Sequence, residues 1–342
     1  MFKKLAAFVA VMMMSVLLVG CGGGGTQEEK QADSNKVYNI KIGSPVVETH
    51  PAHDGFLKFI ELVEKNSNGQ IKTELHANAV LGGDRELTEA VQMGTVTMNL
   101  SSTSPVANFD KSFYIFDLPF LFPDRDTAYR VLDGPVGQKV LDNLSSQGIK
   151  GLGYWENGFR NITNSKRSIN KIEDLKGLKI RTMENQLHMA AWKEMGANPT
   201  PMAFGEVYTA LQQGTVDGQE NPLALIDSNK FYEPNKYLTM SGHIYTPFVV
   251  MMNEKFFNEL PEDLQKVVLD AVKEAGDYQR QLMIEQEKKS LQIITDNGNV
   301  INELPAEEKE KMVELMKPVY DKGAELMGSS QLIDELLAEV KK

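Results

Sequence analysis

Apolar and polar positions alternate over Val37–Gly43. Tyr38, Ile40 and Ile42 stand between Asn39 and Lys41, a period of two that predicts a strand. The period then lengthens. Phe56, Phe59, Ile60 and Val63 recur at helical spacing, and Asn68-Gly69 supplies the stop. "IKTELHA" predicts a strand, "GDRELTEAVQMG" a helix closing on Gly94, and "TVTMNLS" a strand again. The order β-α-β-α-β is the unit of an open, mostly parallel sheet. It recurs after "SINKIEDLKG". "LKIRTM" predicts a strand, "NQLHMAAWKEMG" a helix closed by Gly196, and "ANPTPM" a short extended piece limited by two prolines. "FGEVYTALQQG" predicts a helix with Phe204, Val207 and Leu211 on one face, and "TVDGQ" a strand.

The two runs share residues as well as order. Glu86, Ala90, Gln92, Gly94, Thr95 and Val96 reappear 120 positions later as Glu206, Ala210, Gln212, Gly214, Thr215 and Val216. Two similar α/β lobes leave a cleft between them, and ligands of open α/β sheets lie beyond the C-terminal ends of the strands. Ser101-Ser102 and Glu220-Asn221, just past the repeated unit, should face that cleft. The last third of the chain is helical in pattern. One helix is predicted from about Glu262 to Ile294, with Leu264, Val267, Val268, Ala271, Val272 and Ala275 as its apolar stripe. At 1.5 Å per residue it is roughly 50 Å long, enough to serve as a strut along both lobes. A break into two helices near Gly276 is the alternative. "PAEEKEKMVELMKPVYDKGAEL" and "SSQLIDELLAEVKK" predict two more helices.

The N-terminus breaks these patterns. Lys3 and Lys4 precede an apolar run, Leu5–Val19, and Leu18-Val19-Gly20 leads directly into Cys21, the one cysteine of the chain. The run is short for a membrane span, which needs about 20 residues. It reads as a signal peptide over residues 1–20, with Cys21 in a lipobox that acquires a diacylglycerol. A lone cysteine makes neither a disulfide framework nor a thiolate zinc site. Residues 21–36, rich in Gly, Gln and charge, read as a tether. The formal net charge is −11, and removing Lys3 and Lys4 with the signal makes it −13. An acidic chain suits neither nucleic acid nor an anionic membrane face as a partner.

Candidate enzyme chemistry does not assemble. His50 and His53 stand three apart, but Pro51 lies between them and no companion ligand has metal-site spacing. They suit a loop before a helix N-terminus. There is no nucleophile elbow, phosphate loop or zincin motif. Glu206 is a first-turn acid, which the helix dipole favours. Asp217 falls in a predicted strand, so only Glu220 remains as a site acid. No catalytic residue, cofactor or metal is expected. Binding is better supported. Arg160 follows Gly158-Phe159 in an otherwise uncharged stretch, and Arg181 ends a strand just before a helix begins. A guanidinium at a strand's C-terminal edge can take a carboxylate with both prongs.

"GDRE", "GFRNITNSKRSI", "DLKGLKIRTMEN", "MGANPTPMAFGEVYTALQQGTVDGQENPL" and "NKFYEPNKYL" resemble the TRAP transporter substrate-binding proteins of the DctP type. The resemblance spans essentially the whole mature chain and is most specific over residues 176–238. It implies an α/β, periplasmic-binding-protein-like fold of two lobes that close on a solute. The lobes would comprise residues 37–157 plus 246–285 and residues 158–245 plus 286–342. It implies a partner, a permease of small and large membrane subunits driven by an ion gradient, and an extracytoplasmic, membrane-anchored location. Residue by residue, it makes Arg181 the clamp for a ligand carboxylate and Arg160 a second arginine of the pocket. Asn221 would touch the ligand or the clamp, Phe204 would pack near the solute, and Asp84 would lie at the cleft mouth. Sialic-acid binders of the family carry a Glu where Ser102 stands here, which argues against that ligand.

Charge balance favours a hydroxylated sugar acid, such as a uronate or aldonate, over a bare C4-dicarboxylate. Arg160 and Arg181 neutralise one carboxylate. Glu156, Glu184, Glu220 and Asp84 would accept from ligand hydroxyls and repel a second carboxylate. Trp155 would cover a sugar ring. The rival readings are a C4-dicarboxylate binder, the binding protein of an ATP-driven importer, a periplasmic enzyme acting on sugars and a receptor for a sensor kinase.

Overall fold

A computed structural model describes residues 36–342, so the expected signal segment, Cys21 and nearly all of the tether lie outside the described residues. The strands are β1 (Tyr38–Gly43), β2 (Ile71–His76), β3 (Met98–Ser102), β4 (Ile149–Phe159), β5 (Asn161–Asn164), β6 (Lys179–Thr182), β7 (Asn198–Pro201), β8 (Gly218–Asn221), β9 (Tyr237–Met240), β10 (Tyr245–Asn253) and β11 (Val300–Glu303). They form two sheets, ordered β2-β1-β3-β10-β4 and β11-β9-β5-β8-β6-β7. Each sheet is parallel except for one strand. β10 runs against β3 and β4, and β5 against β8 and β9.

The chain passes between the sheets at two adjacent points. Arg160 alone separates the end of β4 from the start of β5, and Ser241–Ile244 joins β9 to β10. The crossings are bonded to each other, Arg160 N–H donating to the Ile244 carbonyl at 2.8 Å and Gly242 N–H to Asn161 Oδ1 at 3.2 Å. A third connection is the helix Glu262–Asp296, 35 residues without a break. Gly276 does not end it. A Cβ there would lie 2.7 Å from the Trp155 indole, so this glycine makes room for a buried ring.

The repeated unit folds alike in both sheets. Gly94 (φ 76°) and Gly214 (φ 69°) take the left-handed conformation that follows a helix end. The next residue folds back each time, Thr95 N–H to the Ala90 carbonyl and Thr215 N–H to the Ala210 carbonyl, both at 2.9 Å. The second strand begins at Gly218, one residue after Asp217, whose Oδ2 accepts from Lys179 N–H at 2.9 Å. The C-terminal helices number three rather than the two expected: Ala306–Leu315, Lys317–Met327 and Gln331–Val340. Pro318 has no N–H to continue the first, so a new helix starts around it. The last two pack on the segment 111–143, with Tyr320 Oη donating to the Pro119 carbonyl (3.0 Å) and Lys139 pairing with Glu335 (2.7 Å).

Candidate functional site

Arg160 sits where the chain leaves the first sheet, and its side chain turns to the end of β8. Nε donates to Glu220 Oε2 at 2.5 Å, and Nη2 to Glu220 Oε1 (3.0 Å) and Asn221 Oδ1 (2.9 Å). Both members of the pair are fully buried. Burial pushes the Glu220 carboxyl up. Arg160, with His243 Nε2 at 3.2 Å and His188 Nδ1 at 3.9 Å, outweighs it and holds the group well below the usual carboxylate range. One guanidinium nitrogen, Arg160 Nη1, has no partner among the described residues.

Arg181 lies in β6, next to β8 in the same sheet. Its Nε and Nη2 both donate to the Met202 carbonyl, at 3.0 and 2.7 Å, and its guanidinium stands 5.9 Å from the Phe204 ring centre. Nη1 again has no partner among the described residues, although Arg181 is only 2% exposed. Burial and the charge of Arg160 pull its pKa down to about 10, so it remains charged at neutral pH. It opens on a pocket lined by Asp84, Pro105, Glu184, Met202 and Phe204 among others. Asp84 comes from the other sheet's side, where its Oδ1 accepts from Ser102 N–H (2.7 Å) and Ser101 Oγ (3.1 Å). Burial raises the Asp84 carboxyl against those bonds and Arg181. Glu184, at the rim, is 3.9 Å from Arg85.

The structure thus brings Arg160, Arg181, Glu220, Asn221, Phe204, Asp84, Ser102 and Glu184 into one neighbourhood. Glu156 and Trp155 lie elsewhere. Glu156 is enclosed by Arg125 Nε (2.7 Å) and the Tyr129 hydroxyl, with Gln279 bonding its backbone N–H and carbonyl. It ties β4 to two helices. Trp155 packs on Phe56 and donates from Nε1 to the Val272 carbonyl at 3.1 Å, inside the core. His50 caps the helix Pro51–Asn66, accepting from Ala52 N–H at 3.1 Å, and burial pulls it down to about 3.

Several polar residues of this neighbourhood carry no sequence motif. His188 is fully buried between Asp117 (Nε2 to Oδ1, 3.0 Å) and Glu220. Asn185 caps the His188 helix and donates to Asp117 Oδ2 at 2.7 Å. His243 bonds Ser241 Oγ at 2.8 Å and stands edge-on to Trp192. The available signal was apolar context. His188 stands between Leu187 and Met189, where a polar residue needs a buried partner.

Residues 42–326 match the family model described as bacterial extracellular solute-binding protein, family 7 (DctP), and the chain belongs to that family. A solute-binding protein of Verminephrobacter eiseniae is 44% identical over 275 residues, 80% of this chain and 81% of the relative. The C4-dicarboxylate-binding periplasmic protein DctP of Rhodobacter capsulatus is 37% identical over 306 residues, 88% of this chain and 90% of the relative. The sugar acid binding protein DctPAm of Advenella mimigardefordensis, solved with galactonate, superposes with a TM-score of 0.87 at 38% identity, covering 90% of this chain and 98% of that one. The fold is shared with TRAP periplasmic solute-binding proteins. The family is one of extracytoplasmic binding proteins for transport, not of enzymes.

Proposed function

We propose that this chain captures a small hydroxylated organic acid, a uronate or aldonate, and delivers it to an ion-gradient-driven permease of small and large membrane subunits. The observation that carries the reading is a pair of buried guanidiniums, Arg160 and Arg181, each with an Nη1 that has no partner among the described residues. Buried donors left unmatched are costly, and an anionic acceptor is their natural complement. Arg160 is already balanced by Glu220, which leaves Arg181 to offset one ligand carboxylate. A second carboxylate would meet Asp84 and Glu184, whereas hydroxyls donate to such groups. The galactonate bound by the Advenella protein fits this chemistry. The parts built on the two sheets are the bodies that close, hinged where the crossings meet at Arg160 and Ile244. Cys21 carries the lipid that holds the receptor at the membrane face.

The Rhodobacter relative favours one other ligand class, a C4-dicarboxylate. A thermal-shift panel of uronates, aldonates, succinate, malate and fumarate separates the two. Ligand at about 100 times its dissociation constant adds near 2.7 kcal/mol. The proposal expects a large shift with at least one sugar acid. A large shift with succinate or malate and none with any sugar acid overturns the ligand class and leaves the carboxylate clamp standing.

A further inference from the structure

β10 is a central strand of its sheet, yet it contains Pro247, which has no N–H to donate. The ladder answers with an irregularity. Thr246 pairs with Gly158 and Pro247 with Glu156, so Asn157 is one residue too many on β4. Such a bulge re-aims the side chain it carries. Gly158 follows with φ 120°, a conformation that other residues avoid. The consequence is a fully buried amide three residues before Arg160. Its Nδ2 donates to Ser102 Oγ at 3.1 Å, and its Oδ1 has no partner among the described residues. Ser102 in turn donates its N–H to Asp84, which lines the pocket in front of Arg181.

We propose that Asn157 is a specificity-determining residue, its Oδ1 accepting a hydrogen bond from a hydroxyl of the bound acid. The inference rests on the carboxylate clamp and adds the second half of the recognition. Among the unused polar atoms of the described residues are two guanidinium donors, Arg160 Nη1 and Arg181 Nη1, and an amide acceptor, Asn157 Oδ1. Donors match a carboxylate, and the acceptor matches a hydroxyl carried on the same molecule. A plain dicarboxylate has nothing to donate to it. The position is built by backbone geometry, because the bulge forced by Pro247 fixes where the amide points.

The test is calorimetry on the full chain with galactonate, glucuronate and succinate, for the parent, Asn157→Leu and Asn157→Asp. Leu keeps the shape and removes the acceptor. The preference for a hydroxylated acid over succinate should fall by about tenfold or more in Asn157→Leu. Asp keeps the acceptor oxygens, and its charge weakens all three anions together, so the preference should stay close to that of the parent, and a collapse there equal to that of the Leu variant overturns the proposal. An unchanged preference in Asn157→Leu overturns it, as does loss of succinate binding alone, the result expected of an amide turned to donate to a carboxylate. Should the Leu variant fail to fold, Asn157→Ala removes the same acceptor without added bulk, with the same expected fall of about tenfold or more and the same overturning result. A parent that binds succinate and neither hydroxylated acid refutes this inference and spares the clamp. A parent that binds none of the three refutes the clamp as well.

Discussion

The helix-glycine-strand unit occurs once in each sheet, and the copies part company at the ends of their strands. Leu100 of β3 and Glu220 of β8 occupy equivalent positions, 120 residues apart, and both are fully buried. Leu100 joins an apolar cluster with Ile40, Ile42 and Val250. Glu220 is surrounded by Arg160, His243 and His188. The residues the copies share, above all Gly94 with Gly214 and Thr95 with Thr215, set the backbone. The residues they do not share decide what is buried beyond it. One copy completes a core, and the other fixes a charge beside a pocket. A position two residues earlier repeats the lesson. Met98 fills space in the first sheet, while a Cβ at Gly218 would lie 2.3 Å from the Thr163 carbonyl of the neighbouring strand.

Making the copies alike should be most damaging at that paired position. Glu220→Leu gives β8 the residue of β3 and leaves Arg160 buried without its counter-ion. The expected loss is about 3–5 kcal/mol of folding stability. Urea denaturation measures it, and a loss below about 1 kcal/mol would mean that the charge at β8 is replaceable.

The acids flanking the pocket should answer pH in opposite directions. Glu220 is held below its ordinary 4.5, so its contribution is complete above that pH and is lost as pH falls below it. Asp84 is raised above 3.8, so its contribution is present below that pH and is lost as pH rises through the higher folded value. Each slope is at most about 1.4 kcal/mol per pH unit. Stability curves between pH 6 and 3 (roughly the span in which free carboxyls titrate) should show this. The parent's advantage over Glu220→Gln shrinks on acidification, and its difference from Asp84→Asn moves the other way. Slopes of equal sign would remove the distinction.

The shared glycines should be equivalent. Gly94→Ala and Gly214→Ala each place a Cβ on a left-handed residue, at φ 76° and 69°, costing about 1 kcal/mol apiece. Thermal melts of both variants check this, and a cost confined to one copy would show that the caps are not the common frame.

This comparison also shows what the sequence makes legible. The repeat, the helix-closing glycines and the alternation of β1 were readable because each is a local rule. Arg181 is readable as an arginine at the end of a strand, just before a helix begins. β4, β5, β9, β10 and β11 escape the sequence patterns. β10, "YTPFVVMMN", is buried along nearly its whole length, so it has no alternation to read. Glu156 is expected in the cleft from motif and strand ends and Trp155 from its ring, and neither criterion fixes which way a side chain points. The extra residue at Asn157 disrupts the alternation of facing along β4, and only the pairing with Pro247 reveals it. His188, His243 and Asp117 are brought together by the crossings, which no short-range spacing encodes.

The central claim is that Arg181 receives the ligand carboxylate through its planar fork. Arg181→Lys keeps the charge and gives up that geometry. Titration calorimetry with the acid giving the largest thermal shift should show affinity reduced by about 30-fold or more, the low end of losing a buried charged partner. Affinity within about threefold of the parent, less than a single hydrogen bond is worth, would contradict the account.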